Sequence, residues 1–235
     1  MPLKYFNIQL SEDQTYFLYK GETLFNKFYK QALKFHPPGI AAVLDENGWY
    51  HIDTTGNQIY NKKYTRVFGY YYNRASVVDD LNWFHIDENG NRVYEDNYKW
   101  CGNFQEKLCT VRDKENNYFH IDLEGNKIYE KKYKYAGDFK DNYACVRLQT
   151  GQFVHIDKKG ERLNEKEFID LGVYHKGFAT AKDFDGWHHI DLNGVPLYKE
   201  RYLNIEPFYN GFSLVESFDN KKFLIDEIGK IILEV

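Results

Sequence analysis

The stretch Gly186-Trp187-His188-His189-Ile190-Asp191-Leu192-Asn193-Gly194 decides the fold, because it recurs along the chain. His-Ile-Asp stands at His51, His85, His120, His155 and His189, and Leu224 opens a Leu-Ile-Asp in the same register. Successive steps are 34, 35, 35, 34 and 35 residues. Three residues after each Asp comes a glycine: Gly56, Gly90, Gly125, Gly160, Gly194 and Gly229. Counting back another 35 reaches Gly21, which marks a degenerate first copy. A period of this length means a solenoid, a propeller or another repeat array.

Aromatic residues keep the same register. Four residues after the glycine stand Phe25, Tyr60, Tyr94, Tyr129, Asn164, Tyr198 and Leu233; eight after it, Tyr29, Tyr64, Tyr98, Tyr133, Phe168 and Tyr202. Fourteen after it stand Phe35, Tyr70, Phe104, Phe139, Tyr174 and Phe208. Two before the histidine stand Trp49, Trp83, Tyr118, Phe153 and Trp187, with Lys222 breaking the series. Aromatics favour half-buried pleated surfaces, and turn residues every few positions bound short strands. Residues 177–181, 187–191 and 195–198 read as three strands, and 202–208 continues extended as a fourth. Residues 26–34 are the best place for a helix, and the repeat register takes precedence there.

The fold expected is all-β: a seven-bladed β-propeller of 34–35-residue repeats, with an open β-solenoid of the same repeats as the alternative. The chain reads as one repeat domain, 1–235, with copies at about 4–38, 39–73, 74–106, 107–141, 142–176, 177–210 and 211–235. Asp-x-x-Gly has a local cause. Asp at the first position of a type I turn caps backbone N–H groups, and Gly at the fourth accepts positive φ. A ring would pair an opening strand around residues 6–10 with the last blade and so remove exposed edges. The apolar residues 231–235 would then be buried against a neighbour.

Residues 177–194 resemble the bacterial WG (KWG) repeat, a unit running roughly Gly-Leu-Ala, then Trp-Gly-Tyr-Ile-Asp, then a glycine turn. The resemblance extends over essentially the whole chain. This chain departs from it where the glycine after Trp is Tyr50, Phe84 or His188 and the next residue is His, which makes it a His-Ile-Asp variant. The resemblance implies a propeller-like β structure and a binding module, often fused to other domains. It implies no common activity, and no functional residue carries over.

Composition excludes several classes. Lys+Arg 31 against Asp+Glu 35 gives a net charge of −4, without the concentrated basic face of a nucleic-acid protein. No run approaches the ~20 apolar residues of a membrane span. The N-terminus lacks a signal-peptide core. Three cysteines, Cys101, Cys109 and Cys145, include no CxxC pair, so neither a disulfide framework nor a zinc site is signalled. These readings point to the cytoplasm.

Two kinds of residue could carry function. The repeated His51, His85, His120, His155 and His189 could bind a metal or an anion if they faced a common channel. They read more simply as structural, each bonding within its own blade, with Trp49, His51 and Asp53 on one strand face as an example. No metal site and no cofactor is implied. Copy-specific residues are better ligand-binding candidates, since loops on a rigid frame carry binding. These are His36, Trp100, Gln105, Arg112, Arg147, His175, Lys176 and Tyr209. No phosphate loop, GxSxG or HExxH is present, and 45–48 and 87–90 lack the distal ligands of a calcium loop. A Cys-His nucleophile has no sequence partner to support it. The reading is therefore a non-enzymatic module docking a protein or peptide. A carbohydrate- or small-ligand-binding propeller and an enzyme with a loop-built site are the alternatives; a nucleic-acid or membrane partner is not expected.

Overall fold

A computed structural model describes residues 3–235; Met1 and Pro2 lie outside the described residues. The chain is all-β, with one 3-10 turn at Tyr5–Asn7 and no α-helix among the described residues. The strands form seven small antiparallel sheets, each from strands consecutive in sequence. The second is Gln31–Ala32, Ala41–Asp45 and Gly48–Ile52, and the sixth is Asp170–Leu171, Ala179–Asp183 and Gly186–Ile190. The last adds a fourth strand: Asn204–Ile205, Phe212–Glu216, Lys222–Asp226 and Ile231–Glu234. Residues 26–34 contain no helix, in keeping with the repeat register.

Three expectations are corrected. The segment after Tyr202 opens the next sheet instead of closing its own: Asn204 lies opposite Glu216 and Ile205 opposite Val215. Residues 195–198 keep only a single bridge, Pro196 to Ile190, while Tyr202 bridges Trp187. The turn takes the groups a longer ladder would use: the Val195 N–H donates to Asp191 Oδ1, and Pro196 has no N–H. Finally, the opening strand Gln9–Leu10 pairs with Phe17–Tyr19 in its own sheet and not with a C-terminal strand. A short hairpin closes at lower entropic cost than a pairing across the whole chain.

By contact density the chain divides into two compact units, residues 1–116 with 121–126 and residues 117–120 with 127–235. In the first, Phe17, Tyr29, Phe35, Val43, Tyr50 and Ile52 form one core cluster. A second gathers Trp49, Tyr64, Val67, Tyr70, Phe84 and Ile86. In the other unit, Phe168, Leu171, Tyr174 and Ile190 pack together, as do Tyr198, Tyr202, Phe208, Val215 and Ile225. The aromatic registers eight and fourteen residues after the glycine are thus core positions. Residues 231–235 are the exception to the expected burial: Ile231, Ile232, Leu233 and Val235 are each about half exposed or more.

The Asp-x-x-Gly turns form as the sequence predicts. The Asp53 carboxylate accepts from the N–H groups of Thr55 at 2.9 Å and Asn57 at 3.1 Å, and Asp191 does the same for Asn193 and Val195. Partial burial raises the Asp53 pKa, and the hydrogen bonds from Thr55, Asn57 and Gly56 overcome it, leaving the carboxyl below its ordinary value. The turn glycine has a second duty. A Cβ on Gly90 would lie 2.4 Å from the Tyr60 ring, and one on Gly125 2.3 Å from Tyr94. The aromatic four residues after one glycine therefore lies against the next copy's glycine, where no side chain fits.

Candidate functional site

The five repeated histidines are buried and locally satisfied. His51 Nε2 lies 2.8 Å from the Phe68 carbonyl and its Nδ1 2.5 Å from the Tyr60 hydroxyl. His85 bonds Gly102 O at 3.1 Å and Tyr94 at 2.5 Å; His189 bonds Glu206 O at 2.9 Å and Tyr198 at 2.6 Å. His120 pairs with Tyr129 and with Gly137 O. A carbonyl only accepts, so Nε2 carries the proton and Nδ1 accepts from the tyrosine. Each ring also lies against the aromatic fourteen residues after its copy's glycine, as His120 does on Phe139 at 4.5 Å. Burial pulls these imidazoles down to about 4, against the opposing pull of the carbonyl bond. They are neutral and closed to ligands. The partner is Tyr and a carbonyl, not the Asp two residues on, which caps its own turn.

The cysteines are equally enclosed. Burial raises the thiol pKa of Cys101, and Cys145 is pushed up to about 12. Cys109 Sγ lies 3.7 Å from His85 Nε2 and is fully buried. A thiol held protonated is a poor nucleophile.

Among the positions that vary between copies is the residue fifteen after each glycine: His36, Tyr71, Gln105, Lys140, His175 and Tyr209. Each ends the opening stretch of a sheet and bridges across the first hairpin turn, as Gln105 does to Leu108 and His175 to Phe178, or pairs there as Tyr71 does with Arg74. Five of these hairpins turn through two residues of positive φ: Tyr72-Asn73, Glu106-Lys107, Asp141-Asn142, Lys176-Gly177 and Asn210-Gly211. That is the type I′ geometry of two-residue hairpins. Tyr72, Glu106, Lys107 and Lys176 hold it without glycine, asparagine or aspartate, a conformation that costs an L-residue about 1–2 kcal/mol. The sixth turn, 36–40, contains the cis Pro37-Pro38 bond.

In the first unit, three of these positions converge. A cavity of about 300 Å³ is lined by residues 36–38, 70–73, 104 and 105. The His36 and Tyr71 rings lie 6.2 Å apart at 36°, and Tyr72 is half exposed at the rim. Tyr70 is buried and donates its hydroxyl to Asp87 O at 2.9 Å, which fixes the cavity wall. The lining holds no Lys, Arg, Asp or Glu. It offers aromatic and proline faces with imidazole, phenol and amide groups between them, and no counter-charge for a phosphate or carboxylate.

The structure thus brings His36 and Gln105 together and adds Tyr71, Tyr72 and Asn73. These were missed because a tyrosine after another tyrosine reads as more repeat; their offset of fifteen and beyond was the available signal. In the other unit, His175 and Lys176 gather on Asp141, whose carboxylate accepts from the Lys176 N–H at 2.9 Å and lies 4.0 Å from His175 Nδ1. The remaining candidates fall elsewhere. Trp100 and Arg112 face each other across a strand pair, and Arg147 lies over the Phe153 ring while donating to Gly151 O. Tyr209 is exposed on its own turn. Among the described residues no group of three or more His, Cys, Asp or Glu is placed to hold a metal ion.

Comparison with known proteins agrees with this frame. The family described as WG containing repeat matches residues 52–83 and 121–149. No curated protein matches the chain by sequence. Among solved structures, one described as the eukaryotic initiation factor aligns over 97% of this chain and 72% of its own, with TM-score 0.61 and 11% identity. The computationally designed Ika8 protein aligns over 97% and 83% with TM-score 0.53 and 10% identity. Hsv2 of Kluyvelomyces marxianus aligns over 95% and 72% with TM-score 0.50 and 11% identity. At such identities the likeness is one of fold: an all-β chain of small antiparallel sheets, of the β-propeller class. No helix among the described residues is long and apolar enough to cross a membrane.

Proposed function

We propose that this chain is a binding module, without chemistry of its own, that docks an extended and largely uncharged peptide segment of a protein partner on its first-hairpin turns. One observation carries the reading. The residue fifteen after the glycine changes identity between copies, and His36, Tyr71 and Gln105 meet at one uncharged cavity. Aromatic and proline surfaces take extended segments whose carbonyls need donors, and polyproline II stretches are the least costly to order. Gln105, Asn73 and the tyrosine hydroxyls are such donors.

Capture of partners from native extract, with Tyr72→Asn as control, tests this. Asn tolerates the positive φ at 72 and removes the rim ring. A partner retained by the parent and lost by the variant, with its binding segment reproduced as a synthetic peptide, supports the reading. Equal capture by both proteins rejects it. A second reading is a neutral carbohydrate, favoured by phenol rings beside two carboxamides in the same cavity. A glycan panel that raises the melting temperature of the parent but not of Gln105→Ala would favour it over the peptide.

A further inference from the structure

We propose that the second unit carries a surface for an acidic segment of a partner protein, built from Arg147, Phe153, Tyr135 and Tyr118, which takes a carboxylate beside an aromatic side chain. It shares no residue with the cavity of the first unit. The strand register makes the surface. Tyr135 of strand Tyr135–Ala136, Arg147 of Ala144–Arg147 and Phe153 of Phe153–Ile156 are Cα partners in one row across their sheet. Side chains in such a row leave the same face of the sheet and lie within reach of each other. Tyr118 extends the row, its ring 5.7 Å from that of Tyr135. Tyr135 is 46% exposed and Arg147 is exposed, so the row is open to solvent.

The arginine decides what the surface takes. Its guanidinium lies over the Phe153 ring, 5.5 Å from the centroid, and its Nε donates to Gly151 O at 3.0 Å. Gly151 has φ +100°, and a Cβ there would lie 3.8 Å from Arg147 Nη2. Elsewhere in the same unit an arginine has its carboxylate: Arg162 is 2.9 Å from Glu167, and Arg201 is 2.8 Å from Asp183. Among the described residues no carboxylate pairs with Arg147. A guanidinium already held by a ring and a carbonyl loses little further freedom when it binds. Its terminal nitrogens remain to take a carboxylate through two parallel hydrogen bonds.

The rings beside it set the second requirement. Tyr, Phe and Arg are the residue types enriched in interface cores. In an extended segment the side chain two residues from the carboxylate stands about 6.6 Å along, which brings it over Tyr135 toward Tyr118. The fold does not demand this row. The same three places hold Asp170, Lys182 and Trp187 in the next sheet, and Asn204, Glu216 and Lys222 in the last.

Affinity selection of random peptides displayed on phage against the intact protein, followed by fluorescence anisotropy on synthetic copies, tests the surface. Selected peptides should carry Asp or Glu two residues from Phe, Tyr or Trp. Their affinity should fall about tenfold or more with Arg147→Gln, the loss of a charge-assisted pair. Arg147→Lys, which keeps the charge without the planar fork, should lose most of the same affinity, and Tyr135→Ser less. A peptide with glutamine in place of its acid should bind the parent as weakly as the acidic peptide binds Arg147→Gln. All three variants should keep the parent's melting temperature; if Arg147→Gln melts earlier, Arg147→Lys decides. An empty selection overturns the proposal, as does one without acidic residues. So do peptides that bind Arg147→Gln as tightly as the parent, or full retention by Arg147→Lys.

Discussion

Two neighbouring repeats of the second unit, those of His120 and His155, differ at one residue of the clasp. His120 has both bonds, to Tyr129 and to Gly137 O, and Phe139 lies on its ring. His155 keeps the carbonyl bond, to Gly172 O at 2.7 Å, and the ring contact, to Tyr174 at 4.2 Å, but Asn164 stands where the tyrosine would be. Both histidines are nevertheless buried and both are pulled down to about 4. The carbonyl bond and the stacked ring are therefore enough to place the histidine. The tyrosine adds a second bond and, by its ring, the cover over the next turn glycine.

The largest test of that division is acid unfolding. If burial alone fixes the neutral state, His155 must count equally with His51, His85, His120 and His189. A histidine at about 4 when folded and near 6.5 when unfolded takes up a proton only on unfolding between those values. Stability is then full above 6.5 and falls as pH drops toward 4, by about 1.4 kcal/mol per pH unit for each histidine. His188, lowered by burial and by Arg201, adds in the same direction. The lowered carboxyls of Asp45, Asp53 and Asp183 act below their ordinary 3.8, outside this window. Urea titrations over the range should show a slope of about five to six protons, and His155→Gln and His120→Gln should each remove about one. A smaller loss for His155→Gln would mean that the tyrosine, and not burial, sets the neutral state.

The cover over the glycine gives the next contrast. A Cβ on Gly160 would lie 2.7 Å from the base of the Tyr129 ring, which cannot swing away; on Gly194 it would lie 2.9 Å from the amide tip of Asn164, which can. Both glycines have positive φ, so the backbone cost of alanine is shared. Gly160→Ala should cost about 2–4 kcal/mol in chemical denaturation, overpacking added to strain, and Gly194→Ala about 1–2 kcal/mol. Equal losses would refute a specific role for the ring.

The hydroxyl itself is worth less. Tyr129→Phe keeps the ring but leaves His120 Nδ1 as a buried acceptor without its donor, for about 1–3 kcal/mol. The pair His120→Leu with Tyr129→Leu, copied from Leu224 and Leu233, removes the Nδ1 acceptor and its hydroxyl donor together and should recover part of the loss attributable to that orphaned group, while the Gly137 carbonyl loses its His120 donor. Asn164→Tyr should run the other way, gaining about 0.5–1.5 kcal/mol by supplying His155 with the missing bond. A neutral or negative result would show that the Asn164 repeat has repacked around its smaller side chain.

The repeat was legible because its residues do the same thing each time. Asp53 and its counterparts cap turns, Gly56 and its counterparts accept positive φ and a ring, and the aromatics fill the core; each leaves a periodic trace. Strand assignment was less legible where one segment serves two sheets. Residues 202–208 look like a continuation of their own copy, and only the register of Asn204 against Glu216 shows that they open the next sheet. The histidine's partner was hidden for a related reason. Asp53 is near it on the strand, whereas Tyr60 is nine residues away and reads as core until the two are seen together. The cavity was half legible: His36 and Gln105 stood out as breaks in the pattern, while Tyr71 and Tyr72 hid among twenty-one tyrosines.

The smallest expected effect turns the same contrast, between residues kept for the fold and residues kept despite it, onto the hairpin turns. Asn210-Gly211 and Asp141-Asn142 suit a type I′ turn, whereas Tyr72 takes φ 51° with a bulky ring. Tyr72→Asn should therefore raise stability by up to about 1 kcal/mol, since Asn visits this region at less cost. Asn210→Tyr should lose a similar amount. If the ring is held at the cavity rim for binding and against its conformational preference, the stabilised variant should also be the one that binds less. Stability unchanged or lowered by Tyr72→Asn would show that the ring packs well enough to repay its turn, and the argument from strain to binding would fail.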